Sequence, residues 1–175
     1  MRTGSAKVVA TAIVLLCGAA SPVLAAEPQE AATCELGSSV WLGELYHTLS
    51  ARAIEMVARA RQPGWASDER LVELVAPGAG FTLVIGDVSD APAAEGVPAA
   101  HEFASRLGFE KFRYGSRAGI PIRVNGCDAY DVEIEFFDAE TADNVTVRFK
   151  MSQGRVVSAE GWNGFFTEGR VSPTS

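Results

Sequence analysis

Two neighbouring stretches of alternating character constrain this chain more than any other feature. Apolar and acidic side chains alternate over residues 130–136, and over residues 145–151 apolar side chains alternate with a threonine and two basic residues. A period of two is typical of a strand with one buried face. A hairpin turning across residues 138–143 would join the two apolar rows on one face and pair opposite charges on the other, at about 0.2–1 kcal/mol each. We interpret the charged rows as a solvated sheet face rather than a site.

The apolar face of that hairpin needs a cover, and an amphipathic helix in the first half of the chain can supply it. From Trp41 to about residue 61, apolar side chains recur at spacings of three and four, as on one face of a helix. Ser38 or Ser39 is expected to cap its start, and Gln62-Pro63-Gly64 is expected to end it.

The remaining segments alternate less regularly but complete an α+β order. Pro121 confines its segment to a sheet edge or a bend. The other predicted elements are, in chain order, a Ser67-capped helix to residue 75, a strand at 81–85, a loop at 86–97, a helix at 98–107, and strands at 112–117, 120–124 and 155–162.

The N-terminus has the features of a secretory signal peptide. Arg2 and Lys7 precede an apolar run at residues 8–16, and small residues follow. The run is shorter than the about 20 residues that a membrane span needs. We expect cleavage after Ala25, with Ala26 as the alternative, and a periplasmic or secreted product.

Charge narrows the classes of partner. The signal peptide contains two basic residues and no acidic ones, so its removal takes the formal net charge from −7 to −9. An acidic domain lacks the electrostatic attraction that nucleic acid and anionic membranes require. We therefore expect neither nucleic acid nor, after cleavage, a membrane as partner.

The cysteine count fits an oxidising compartment. Cys17 leaves with the signal peptide, and Cys34 and Cys127 remain. A single pair in an exported chain predicts a disulfide; the alternatives are two separate thiols or a metal pair. Since the sequence has no Cys-x-x-Cys spacing and its two histidines lie far apart, no metal and no cofactor is expected.

Three stretches carry a family resemblance: ERLVELVAPGAGFTLV at 69–84, EGVPAAHEFASRLG at 95–108 and VTVRFKMSQGRVVSAEGW at 145–162. They resemble the nuclear-transport-factor-2-like superfamily, which includes SnoaL-like polyketide cyclases and ketosteroid isomerases. The resemblance implies a cone-shaped, curved antiparallel sheet wrapped around the long first helix. Residues 1–25 would be the signal peptide, 26–38 an extended leader, 39–169 the domain and 170–175 a tail.

The resemblance also implies a pocket in the cone and a homodimer formed through the sheets. We expect Trp41, Phe136 and Trp162 to lie at the pocket, where aromatic side chains can line it, fill it or contact a second subunit. The bound molecule would be a small apolar ligand, with a protein partner as the alternative.

Candidate chemistry follows from the same resemblance. Tyr46 on the first helix and Asp87, or Asp90, after the first strand match the positions of an isomerase's oxyanion donor and base. The expected second acid is absent from residues 145–147. His47 is a candidate general base, and His101 a second candidate in a proton relay. We therefore predict a binding module, with a cofactor-independent isomerase, dehydratase or cyclase that uses Tyr46, His47 and Asp87 as the alternative.

Overall fold

The computed structural model describes residues 34–85, 88–90, 94–107, 111–115, 120–138 and 143–164. Within them the chain forms three α-helices: α1 (Leu42–Ala60), α2 (Glu69–Leu74) and α3 (Val97–Leu107), with a 3₁₀ turn at Trp65–Ser67. The strands are β1 (Val40–Trp41), β2 (Val75–Ile85), β3 (Val88–Asp90), β4 (Lys111–Tyr114), β5 (Arg123–Val124), β6 (Tyr130–Phe137), β7 (Asn144–Ser152) and β8 (Arg155–Gly164). The protein is therefore α+β, as predicted.

The described strands form one six-stranded sheet, in the order β3-β2-β8-β7-β6-β4, and a two-stranded ribbon of β1 and β5. The prediction of an antiparallel sheet was wrong in one pair, because β2 and β8 run parallel. No short turn joins these two strands, so nothing local forces them to reverse direction. The alternation of apolar and polar residues within a strand does not indicate whether the neighbouring strand runs parallel or antiparallel to it.

The β6–β7 hairpin is confirmed in position and register. Glu133 lies opposite Arg148, and Asp131 opposite Lys150, with 2.7 Å between the Glu133 carboxylate and the Arg148 guanidinium. The inward row is buried: Val132, Ile134, Phe136, Val145, Val147, Phe149 and Met151. The turn into β8 has positive φ angles at Gln153 and Gly154, as a two-residue hairpin of the tight, right-twisting type requires.

Helix α1 covers the sheet with one buried face. Its buried apolar residues are Leu45, Leu49, Ala53, Met56, Val57 and Ala60. The prediction of a Ser38 or Ser39 cap was wrong, because the residue before the helix is Trp41 and it makes no side-chain cap. Instead, the Leu42 amide donates to the Ile122 carbonyl at 2.9 Å, so a neighbouring backbone satisfies an N–H that a cap would otherwise take.

Two further boundaries differ from the sequence prediction. Asp68, not Ser67, caps α2 by accepting from the Leu71 amide at 3.1 Å. Strand β2 begins at Val75 rather than at Phe81, and β3 occupies part of the predicted loop. Pro77 fits in β2 because β3 pairs only with residues 83–85 and the pairing with β8 is interrupted between Val75 and Gly80, so its missing N–H breaks no ladder.

The disulfide between Cys34 and Cys127 is present, with a Cα–Cα distance of 5.8 Å. It links Cys34 to the turn before β6. Beside it, the Gly126 amide donates to the Gly37 carbonyl at 2.9 Å. Any side chain at Gly126 would collide with Leu36, since a Cβ there would lie 2.9 Å from the Leu36 Cβ.

Removing the disulfide should lower the free energy of unfolding. The bridge joins residues 93 apart, for which chain entropy gives an upper limit of about 4–5 kcal/mol; we expect a loss of about 2–4 kcal/mol. The measurement is urea unfolding of the Cys34→Ser/Cys127→Ser variant against the oxidised protein. Reduced wild-type protein should unfold at the midpoint of the variant, and an unchanged midpoint in both would contradict the prediction.

A carboxylate with two arginine partners links α1 to α2. Glu55 accepts from Arg59 at 2.8 Å and from Arg70 at 3.3 Å, and Arg59 also contacts Asp68 at 3.1 Å. The hydrogen bond from Arg70 is the main cause that lowers the pKa of Glu55 below its ordinary value, against the opposing effect of partial burial. Glu55 is thus more readily ionised in the folded chain than in the unfolded one.

The Glu55–Arg70 pair should therefore lose its stabilising effect in acid. A carboxyl group with a lowered folded pKa contributes stability above its unfolded pKa of about 4.5, and this contribution disappears as pH falls through the folded value. A double-mutant cycle of Glu55→Gln and Arg70→Gln should give a coupling of about 0.2–1 kcal/mol at neutral pH, as for other partly exposed pairs. Urea unfolding should show that coupling decrease as pH falls below the ordinary glutamate pKa; a coupling that stayed constant there would refute the assignment.

Candidate functional site

The predicted catalytic residues do not all fall in the described part of the chain. Tyr46 and His47 lie in the first half of α1, whereas Asp87 lies outside the described residues. His47 is exposed, and its Nδ1 lies 2.8 Å from the hydroxyl oxygen of Tyr114 on β4. Tyr46 is half-buried and packs against the core. The structure thus pairs His47 with a residue that the sequence analysis did not single out.

A further tyrosine, Tyr130, lies close enough to Tyr46 for their charges to interact. Tyr130 at the start of β6 donates its hydroxyl to the Asn125 carbonyl at 2.9 Å. Burial raises the pKa of Tyr130, and negative charge at Asp128 and at Tyr46 adds to the effect. Tyr130 therefore stays a hydrogen-bond donor at neutral pH. Nothing in the sequence pattern marked Tyr114 or Tyr130, because each reads as an ordinary strand residue.

His101, the second histidine, has a structural position. Its Nδ1 lies 2.7 Å from the Ala60 carbonyl at the end of α1. Its ring stacks on Trp65, with 4.3 Å between centroids and 11° between planes. These contacts fasten α3 to the C-terminal end of α1 and occupy both a nitrogen and a ring face of His101.

An open cleft lies between α1 and the edge of the sheet, and we call it the α1–β4 cleft. Its volume is about 410 Å³, and its lining residues are Ile54, Val57, Ala58, Arg61, Gln62, Phe112 and Phe136. Phe136 and Phe112 face each other in the β4–β6 register. Phe136 is buried, whereas Phe112 is 45% exposed, an unusual degree of exposure for a phenylalanine, which normally buries most of its area.

Of the three predicted pocket residues, Phe136 lines this cleft and the two tryptophans do not. Trp41 is 40% exposed on the β1–β5 ribbon, with the Arg123 guanidinium 4.4 Å from its ring centroid. Trp162 pairs in register with Thr146, so it lies on the outer sheet face beside Arg148. Gly161 takes the inward position, where a Cβ would come within 2.8 Å of Leu83.

A second depression, of about 310 Å³, has a polar lining: Glu35, Arg52, Arg70, Val72, Glu73, Gln153 and Arg155. Its arginines are used to hold the fold. Arg155 donates to the Val72 and Val75 carbonyls at 2.7 and 2.8 Å, and Arg52 donates to the Gly154 carbonyl at 3.3 Å. We interpret this depression as a structural junction of α1, α2 and the β7–β8 turn.

Among the described residues, no group of three or more histidine, cysteine, aspartate or glutamate side chains lies together in a metal-binding arrangement. None of the described helices has the length and apolar character of a membrane span.

Comparison with known proteins gives similarity at the level of structure alone. No family model matches the sequence, and no curated protein matches it. Solved structures with a similar course of the chain include a nuclear-transport-factor-2-like protein of unknown function from Silicibacter pomeroyi. It is 12% identical, with a TM-score of 0.45, over 71% of this chain and 100% of that one.

Two other similar structures carry names of enzyme families. A candidate isomerase of the SnoaL-like family from Agrobacterium tumefaciens is 14% identical, with a TM-score of 0.38, over 69% of this chain and 98% of that one. A candidate ketosteroid isomerase from Kribbella flavida is 11% identical, with a TM-score of 0.40, over 67% and 78%. The structural neighbours thus include members of the superfamily that the sequence resembles. Similarity at this level says nothing about which residues of this chain form a site.

Proposed function

We propose that this protein is an exported binding module that holds a small apolar ligand in the α1–β4 cleft. The observation that carries the proposal is the cleft itself: an open space of about 410 Å³ in which five of the seven lining residues are aliphatic or aromatic. Ligand sites typically have volumes of about 300–1,000 Å³ and apolar walls with few polar groups. Phe112, exposed at one wall, would gain burial when a ligand enters.

The lining residues favour binding over chemistry. Among the described side chains of the cleft, Arg61 alone is ionisable, and a guanidinium stays protonated in proteins. General acid–base catalysis needs a group that exchanges a proton within about 3 Å of the reacting atom. Tyr46 and His47 are not among the residues that line this space.

Export and self-association are further parts of the proposal. The Cys34–Cys127 disulfide supports an oxidising compartment. A homodimer through the sheets would have to use an outer face on which some charges are already paired within the chain, such as Arg113 with Glu135 and Arg148 with Glu133. Such a dimer would be held by Trp162 and other uncharged groups more than by new ion pairs.

Filling the cleft should abolish binding. Ala58 lines the cleft and is exposed, so the Ala58→Trp variant should place an indole in the space. Binding of the neutral fluorescent probe N-phenyl-1-naphthylamine, measured by titration, should weaken at least about ten-fold. The free energy of unfolding should change by less than about 0.5 kcal/mol, as for other surface substitutions.

The matched control is Ala51→Trp. Ala51 is an exposed alanine on the same helix but does not line the cleft, so its substitution should leave probe affinity unchanged. Equal affinity in wild type and in both variants would place the probe elsewhere and overturn the proposed site.

A second candidate function rests on the His47–Tyr114 hydrogen bond. If Nδ1–H donates to the phenol oxygen, Nε2 of the exposed imidazole is left as a base. A proton-abstracting isomerase, dehydratase or cyclase could use that base, as the resemblance to enzyme families implies. The test is catalysed exchange of α-protons.

Wild-type protein in D₂O should then accelerate deuterium exchange at the α-carbons of 2-tetralone, followed by NMR. His47→Gln should reduce the acceleration about 10²-fold or more, the usual contribution of a general base. His101→Gln is the control, because His101 is held by Ala60 and Trp65 and should not affect exchange. A wild-type rate equal to that of buffer would eliminate this candidate.

A further inference from the structure

The α1–β4 cleft has one polar end. Ile54, Ala58 and Arg61 follow one another along the same side of α1, at spacings of four and three residues, and all line the cleft. At 1.5 Å per residue, Ile54 and Arg61 are about 10 Å apart along the helix axis. The polar residues Arg61 and Gln62 are adjacent at the C-terminal end, whereas the other lining residues are apolar.

We infer that the ligand of this cleft is an amphipathic anion: an apolar body about 10 Å long that carries one terminal carboxylate. The inference rests on the proposed binding function and specifies its ligand class. The apolar body would lie along Ile54, Val57, Phe112 and Phe136, and the carboxylate would accept hydrogen bonds from Arg61 and the Gln62 amide. A guanidinium fork matches the planar geometry of a carboxylate.

Arg61 is the cation that this cleft offers. Arg59, two residues earlier, is occupied by Glu55 and Asp68 and does not line the space. Arg61 also has an interaction within the chain. Because a guanidinium has five N–H donors, such an interaction can hold Arg61 in place and leave donors for a ligand.

The partial negative charge at the C-terminal end of α1 repels a bound anion only weakly. A helix C-terminus has a partial negative charge of about half a unit, which falls off within one turn. Here its carbonyls are already engaged: Arg59 accepts from Gln62 at 3.0 Å, Ala60 lies 2.7 Å from the His101 ring nitrogen, and Gln62 accepts from Trp65 at 3.3 Å. The full positive charge of Arg61 therefore dominates at the polar end.

The test compares octanoate with 1-octanol, which share an apolar chain and differ in the head group. Each is titrated against wild-type protein at neutral pH by displacement of N-phenyl-1-naphthylamine. We expect octanoate to bind about ten-fold or more tightly than 1-octanol. Arg61→Gln should bring the two affinities to within about two-fold by weakening octanoate alone, since the apolar walls stay intact.

Arg123→Gln is the matched control, because Arg123 is an exposed arginine on the β1–β5 ribbon that does not line the cleft. It should leave both affinities unchanged. If 1-octanol binds as well as octanoate, and Ala58→Trp abolishes the binding of both, the anion inference is overturned while the proposed function stands. If Arg61→Gln leaves octanoate affinity unchanged, the assignment of the head group to Arg61 is likewise overturned. If neither compound displaces the probe from wild-type protein although Ala58→Trp weakens probe binding, the anion inference is overturned and the proposed function stands; if Ala58→Trp also leaves probe affinity unchanged, both proposals fall.

Discussion

The rest of the structure depends on the contact between the buried face of α1 and the inward row of the sheet. Leu49 and Met56 from the helix and Phe149 and Met151 from β7 are almost fully buried, and burial of such side chains contributes about 1.5–3 kcal/mol each. Because α1 is laid across the sheet in one fixed orientation, the side of the helix that carries Ala58 and Arg61 is turned toward the sheet edge at Phe112 and Phe136. The cleft thus lies at the edge of the buried core, between α1 and the edge of the sheet.

The charged side chains have a different role from the buried apolar ones. Arginines such as Arg70 and Arg148 form ion pairs that link one element to another or join neighbouring strands. Exposed pairs of this kind contribute little stability each, yet they fix which charges are left for other tasks. Arg61 lies at the cleft, and under the inference above it would give a chain that is acidic as a whole a local positive charge for an anion.

The sequence predicted those parts whose signal is local. The periodicity of apolar residues predicted α1 and the β6–β7 hairpin. The two cysteines left after removal of the signal peptide predicted the pairing of Cys34 with Cys127. The parallel direction of β2 and β8, the backbone partner of Leu42 and the cleft depend on residues distant in the chain, which periodicity does not report. Trp162 shows the limit most clearly: the β7–β8 register shifts between Lys150 and Met151, and this irregularity places Trp162 opposite Thr146 on the outer face. The His47–Tyr114 contact joins residues 67 apart, and the periodicity of the sequence did not predict it.

The parallel pairing of β2 with β8 also affects how the chain acquires its structure. Phe81 pairs with Ala159. Strand β2, which lies inside the sheet, can therefore pair with β8 only after nearly eighty further residues have been synthesised. Contacts of such long sequence separation form late, because the entropy of closing the intervening chain must be overcome first, and folding slows accordingly. Until then, the apolar row of β2 and its unpaired backbone are open to other strands and to chaperones. Order of synthesis therefore bears on this fold: among the described strands, β8 is made last and completes the middle of the sheet.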